Sequence, residues 1–502
     1  MAKSFDTLQQ TIRQWLITSF EQVRNILFIS PERKLPIVTI VFYIVFYIAL
    51  YGYGAWQWNF FYSRGDIPFD FADWAEVTGP RYSLLNDAAD SGQFPLHASN
   101  TATLRGVTDR YFSIADTPIS PEYLLLRWLE AGPFLFVDTL LWYTAGYIGL
   151  LLFARRYHLA PFTFSLFFFL LDFNGYITAH LAVGHSYWTI FFLLPFFVML
   201  CLDLVEKQVF SWRWVLKLSL FELVILLQGG MHLLTWSMLF LGALALFNVR
   251  LIKPVLLGAL FTGLVCLPRL LPPMLVLEDI TQEYLGGFPS LNDLFASLVT
   301  LRHPTQALQA LNDTLPLNGW EVDFYIGQVG FWLLAVFGIF LPLRAEQFKK
   351  TSPQIQVLFA SLVLALLSIG EIYAWLVRVV TLPPLTGERV TSRMLIVPLV
   401  MVLALAVVEM QKWLNARRFA VWGNGVLLAL AALLVHDLFQ HLQVWRIRYL
   451  DQMTDQFPKV PFDPANHTLA NHPDTLYVGL MLGGAVVAVA AMGFLITKAR
   501  RA

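Results

Sequence analysis

Apolar runs long enough to cross a bilayer recur along almost the whole chain, and they limit its fold more than any other feature. A helix needs about 20 apolar residues to cross a hydrocarbon core of about 30 Å. Runs near 37–55, 134–153, 160–178, 187–204, 213–228, 231–249, 253–271, 324–343, 354–371, 394–411, 420–438 and 476–496 meet or approach that length. Backbone polar groups in lipid must be satisfied within the chain, so such runs become helices. They predict an all-α polytopic membrane protein of about twelve transmembrane helices. Composition agrees. The chain is 57% hydrophobic and 14% charged, where soluble proteins carry about 25% charged residues. Basic and acidic residues balance, so there is no field to draw a nucleic acid. Cys201 and Cys266 fall inside apolar runs and read as core residues, not as a disulfide or metal pair.

The charges between the runs set an orientation. Of the 34 lysines and arginines, 21 fall in 1–36, 154–159, 205–217, 250–253, 344–350, 412–418 and 497–502. These short basic segments predict an inner or plasma membrane protein with both termini cytoplasmic. In 1–36, Phe5, Leu8, Ile12, Trp15, Leu16, Phe20, Val23 and Leu27 recur at helical spacing, with no signal cleavage site. That pattern predicts an amphipathic helix on the membrane surface, with a partner-docking helix as the alternative. Residues 37–496 form the membrane domain and 497–502 a basic tail. The loops 56–133, 272–323, 372–393 and 439–475 face outward and, with the turns on that side, hold eight of the ten histidines. No internal repeat matches the two halves, against the usual pattern of transporters built from inverted repeats.

The first outer loop carries DFADWAEVTGPRYSLLNDAADSGQFPLHASN, residues 70–100. Asp73 stands seven residues before Pro80, and Tyr82, Leu84, Leu85, Ala88 and Ala89 follow at helical spacing. Gly92 then ends that helix as a left-handed cap would. This stretch resembles the first external loop of the GT-C class of membrane glycosyltransferases, most closely its YfhO-like bacterial branch. There an aspartate is followed seven residues later by a proline, then a short helix and a Gly-x-x-Pro-Leu-Trp-Asn-Pro segment. Here Gly92-Gln93-Phe94-Pro95-Leu96 is followed by His97-Ala98 where Trp-Asn is commoner. NGYITAHLAVGHSYWTIFFLLPFFVML, LLQGGMHLLTW, GWEVDFYIGQVGFWLLAVFGIF and GERVTSRMLIVPLVMVLALAV extend the likeness in order over residues 37 to 410.

The resemblance implies a GT-C-like fold that transfers a sugar from a polyprenyl-phosphate donor to a glycan, lipid or protein acceptor at the external face. An acceptor hydroxyl is a poor nucleophile until a carboxylate takes its proton, and by motif position that carboxylate is Asp73. Asp70 and Glu76, three residues to either side, share its face if the segment is helical. The plain alternative is a solvated acidic loop. The leaving phosphate needs cationic donors. Arg389 and Arg393, four apart at the outer mouth of the tenth span, supply guanidinium groups suited to phosphate, or else anchor the span at the headgroups. His180 and His185 flank a tight turn and are further phosphate candidates, although either can simply cap a helix.

Around the sugar, His97, Gln228, His232, Trp320, Glu321, Asp323 and Tyr325 are the candidate contacts. For Gln228 and His232, packing around Gly229 and Gly230 explains the pattern equally well. For Glu321 and Asp323 the helix dipole does so. Glu222, inside an apolar run, is either neutral and hydrogen-bonded or functional. No P-loop or dinucleotide motif is present, and no metal motif stands out, although a divalent ion is compatible with the acids. A transporter or flippase for a lipid-linked precursor, and a catalytically silent GT-C-like subunit of a membrane assembly, are the rival readings.

Overall fold

The computed structural model describes residues 21–22, 24–31, 36–276, 284–304, 317–344, 352–380, 385, 387–417 and 421–501. Among them the regular structure is helical, and backbone pairing outside helices is confined to isolated bridges. A helix lies on each of the twelve apolar runs. Nine stretches among the described residues are long and apolar enough to cross a membrane. Trp212–Leu227, Met231–Phe247 and Pro353–Leu367 are shorter.

Burial sorts the helices into an inner and an outer set. The apolar window of Thr391–Ala416 is 94% buried, whereas that of Ile37–Phe61 is only 6% buried although nearly as apolar. A helix apolar on all sides must be covered all round. Pro161–Ala182 and Ser186–Lys207 join the inner set, where protein supplies that cover. Ile37–Phe61 and Thr475–Arg501 turn most of their side chains outward, which fits a lipid environment. Close approach on the outer ring uses small residues. A Cβ on Gly484 would stand 2.9 Å from the Pro268 nitrogen.

The long connections fold into one layer at one end of the bundle. Val460 N–H donates to the Asp70 carbonyl at 2.7 Å, Ala470 N–H to that of His97 at 2.9 Å, and Leu285 N–H to that of Arg389 at 2.9 Å. Gly175 N–H donates to the Tyr325 carbonyl, where the third apolar run breaks at Asn174. The opposite ends carry Arg155, Arg156 and Lys207, and Arg213 Nε donates to the Ala499 carbonyl there. Of the N-terminal amphipathic pattern, residues 1–20 lie outside the described residues. The following stretch docks on its own chain, with Gln411 Nε2 donating to the Phe28 carbonyl and Phe28 packed on Phe162. The basic segment 345–350 also lies outside them. Helix Thr475–Arg501 continues into the basic tail, with Lys498, Arg500 and Arg501 in its last turn.

Candidate active site

The opening segment folds into helix Gly79–Ser91, with Pro80 in its first turn and Gly92 at φ +67° as its left-handed cap. Immediately before it, Trp74–Thr78 forms one π-helical turn whose cap residue is Asp73. Such wide turns re-aim the residues around them. Three contacts lock this turn to the tight turn at 182–186. Trp74 Nε1 donates to the Ala182 carbonyl at 2.8 Å, Thr78 Oγ1 donates to that of Gly184, and His185 Nε2 lies 2.6 Å from Asp73 Oδ2. Gly184 permits the approach. It sits at φ +104°, and a Cβ there would come within 2.4 Å of the Trp74 nitrogen.

A cavity of about 380 Å³ opens beside this junction. Asp73, Glu76, His185, His232, Trp320, Glu321, Arg389 and Arg393 line it, with Arg105, Tyr187 and Asn318 among the remaining walls. Residues from widely separated stretches of sequence therefore meet around one space. The arginines reach it differently from the helical pairing expected of them. Val390 is extended and the 3-10 turn Thr391–Leu395 begins after it, so Arg389 and Arg393 do not share a helix face. The reason is backbone pairing: Gly286 bridges Val390 and Thr391 N–H donates to the Gly286 carbonyl, drawing the chain straight.

Charge in the cavity is closely matched. Arg393 holds Glu321 with two side-chain bonds, Nε to Oε2 at 2.6 Å and Nη2 to Oε1, and lies over the Trp188 ring at 5.2 Å. Arg105 pairs with Asp116, which also takes Arg81 at 3.0 Å. Arg389 has no carboxylate at ion-pair distance among the described residues, and its buried Nε has no hydrogen-bond partner. Arg105, His185, His232 and Arg393 each lie beside a carboxylate, so Arg389 is the cavity cation without one among the described residues. Burial raises the Asp73 carboxyl, but His185, then Arg105 and Arg393, outweigh it and hold the group below its usual value. Glu76 moves the other way, raised by partial burial and then by Asp73. The two acids thus separate into an ionised carboxylate and a more readily protonated neighbour.

Other expected residues stand behind the cavity or elsewhere. His180 is buried, with Nδ1 against the Tyr176 carbonyl and Nε2 3.3 Å from Glu321 Oε2, so it braces a wall. Asp70 does not share the Asp73 face: its carboxylate takes Lys459 Nζ at 2.8 Å. Asp323 is buried against His441 Nε2 and Trp445 Nε1, each at 2.9 Å, and Tyr325 stacks on His441. Gln228 donates to Glu122 and lies against Asp138 in another buried cluster. Gly229 beside it, at φ +88°, gives room to the Asp116 carbonyl. Glu222 is hydrogen-bonded to Ser237 Oγ. Both cysteines are buried and free. His97 lies in the first loop away from the cavity, among residues of the last loop.

Sequence reasoning missed Arg105, Tyr187, Trp188 and Glu388. Glu388 backs the cavity, taking His232 Nδ1 at 3.0 Å and Trp236 Nε1 at 2.9 Å. Arg105 had a legible signal, since it is basic on the face where basic residues are sparse, as for Arg389 and Arg393. Compared with protein-family models, curated proteins and solved structures, the chain matches none of them.

Proposed function

We propose that this protein is a GT-C-like membrane glycosyltransferase with twelve spans, moving a sugar from a polyprenyl-phosphate donor to an acceptor at the outer face. The observation that carries the reading is the meeting of Asp73, Arg389 and Arg393 in one cavity. Asp73 takes the proton of the acceptor hydroxyl while its oxygen bonds to the anomeric carbon. The bond from that carbon to the phosphate oxygen breaks, and the phosphate leaves as an anion toward Arg389, supported by Arg393 and Arg105. His185 orients Asp73, and Trp320 offers a flat apolar face to a sugar ring.

A second cavity supports a lipid-borne donor. It holds about 470 Å³ and is lined almost wholly by apolar side chains, including Leu294, Phe295, Leu358, Leu362 and Leu395. The turn Thr391–Leu395 contributes Arg393 to the polar cavity and Leu395 to the apolar one, so a phosphate and its hydrocarbon tail would have adjoining sites. The test is transfer of labelled hexose from a polyprenyl-phosphate hexose to membrane extract by the purified protein. Transfer by wild type and its loss in Asp73→Asn are the expected results. Equal label with wild type and Asp73→Asn overturns the reading.

A further inference from the structure

His97 and Asp109 lie in the first long loop and His472 in the last, yet one ligand atom from each lies within 4.8 Å of the other two. Backbone pairing brings them together. Ala98 N–H donates to the Asp109 carbonyl at 2.8 Å, and Ser99 N–H to that of Thr468 at 2.9 Å. Bridges join His97 to Arg110 and Ala98 to Leu469. His472 Nε2 stands 2.7 Å from Asp109 Oδ2, and the two imidazole rings are only 3.8 Å apart between centroids.

The second observation is His97 itself. It is wholly buried, and neither ring nitrogen has a hydrogen-bond partner among the described residues. A buried polar ring without partners is costly. Its nearest carboxylate oxygen, Asp474 Oδ2, is 3.7 Å away and already accepts from Arg110 Nε at 2.6 Å. The other Asp474 oxygen accepts from Tyr477 N–H at the start of the last helix. The protein thus keeps an unsatisfied imidazole facing a second imidazole and a carboxylate.

We propose that His97, Asp109 and His472 bind a zinc ion that clamps the first long loop to the segment before the last helix. Two imidazoles and one carboxylate suit zinc, a set it shares with iron(II), whereas magnesium and calcium prefer oxygen ligands. Zinc at about 2.0–2.1 Å from each ligand needs donor separations of roughly 3.3–3.5 Å, so the two stacked rings must turn their edges toward the ion as it enters. His472 is exposed and Asp109 part-exposed, giving the ion a path in and a water its fourth position. The site lies outside the cavity that holds Asp73 and does not depend on the proposed transfer. Its effect is to hold the loop that carries Asp73.

The test uses tag-free full-length protein in detergent, stripped with chelator and then dialysed against zinc in excess magnesium. Wild type should retain one zinc per chain and unfold at a higher temperature with zinc than without. His472→Ala and Asp109→Asn alter exposed or part-exposed side chains, and each should weaken zinc binding at least tenfold. His467→Ala, a nearby loop histidine outside the cluster, should keep the zinc. No retained zinc in wild type, or equal zinc in wild type and His472→Ala, overturns the proposal. So does displacement of the zinc by magnesium.

Discussion

His185 Nε2 lies 2.6 Å from Asp73 Oδ2, across the junction where the first loop meets the turn between two inner helices. One carboxylate oxygen is thereby fixed in direction by a side chain that is itself nearly buried. If Asp73 is the base, Asp73→Asn should lower transfer roughly 10²–10⁴-fold at unchanged protein level. Asp70→Asn should transfer near the wild-type rate, because Asp70 serves Lys459 instead of the cavity. A dead Asp70→Asn beside an active Asp73→Asn would move the base to Asp70.

Gly184→Ala should damage the same junction without touching a charge. An alanine at φ +104° is strained, by about 1–2 kcal/mol on left-handed grounds alone. Its Cβ would also press on the Asp73–Trp74 backbone. Thermal unfolding in detergent should show the loss, and activity should fall with it. An unchanged melting temperature would mean that the turn is not a rigid support.

Arg393→Lys should impair transfer although charge is kept, because one ammonium cannot reproduce the two bonds to Glu321. Losing a charge-assisted contact costs on the order of 1.5–3 kcal/mol. Arg389→Lys should act mainly on the KM for the donor, since no carboxylate among the described residues pairs with Arg389. Equal kcat and KM in both variants would reduce these arginines to structural anchors.

Asp116 predicts an acid limb of stability. Burial raises its carboxyl, but Arg105 and then Arg81 outweigh that and hold it well below the usual value. A depressed folded pKa stabilises the fold above the unfolded value of about 3.9, and the contribution is lost as pH falls through the folded one. Unfolding temperature should therefore drop below about pH 4. Asp116→Asn should lower it at neutral pH by leaving two arginines unpaired, and should flatten that acid dependence. An identical pH profile in the variant would exclude the pair as a source of the acid loss.

Orientation is testable with single cysteines. Ala102→Cys and Ala465→Cys should react with a membrane-impermeant maleimide in intact cells, and Ala416→Cys should not. These three positions are exposed, while Cys201 and Cys266 are buried and should stay silent. The reverse pattern would place the Asp73 layer on the cytoplasmic face.

Chain chemistry alone determined the helical class and the positions of the helices. Apolar runs of this length have to satisfy their own backbones, and that rule is local. Helix Gly79–Ser91 and its Gly92 cap were legible for the same reason, because capping depends on adjacent residues. Asp73 was singled out by motif position and Arg389 and Arg393 by their charge at the outer mouth of a span, but the geometry of the three was not legible. Helical spacing put Asp70 beside Asp73, and Lys459, 389 residues away, draws it aside. The same spacing stacked the two arginines, and Gly286 pulls their segment into an extended path. His97 read as a sugar contact and lies instead against Asp109 and His472. Asp323 and Gln228 likewise found buried partners on other helices. A polar side chain at the end of a span must find a partner or water. The sequence states that need for each residue, but only the packing of distant segments decides which partner meets it.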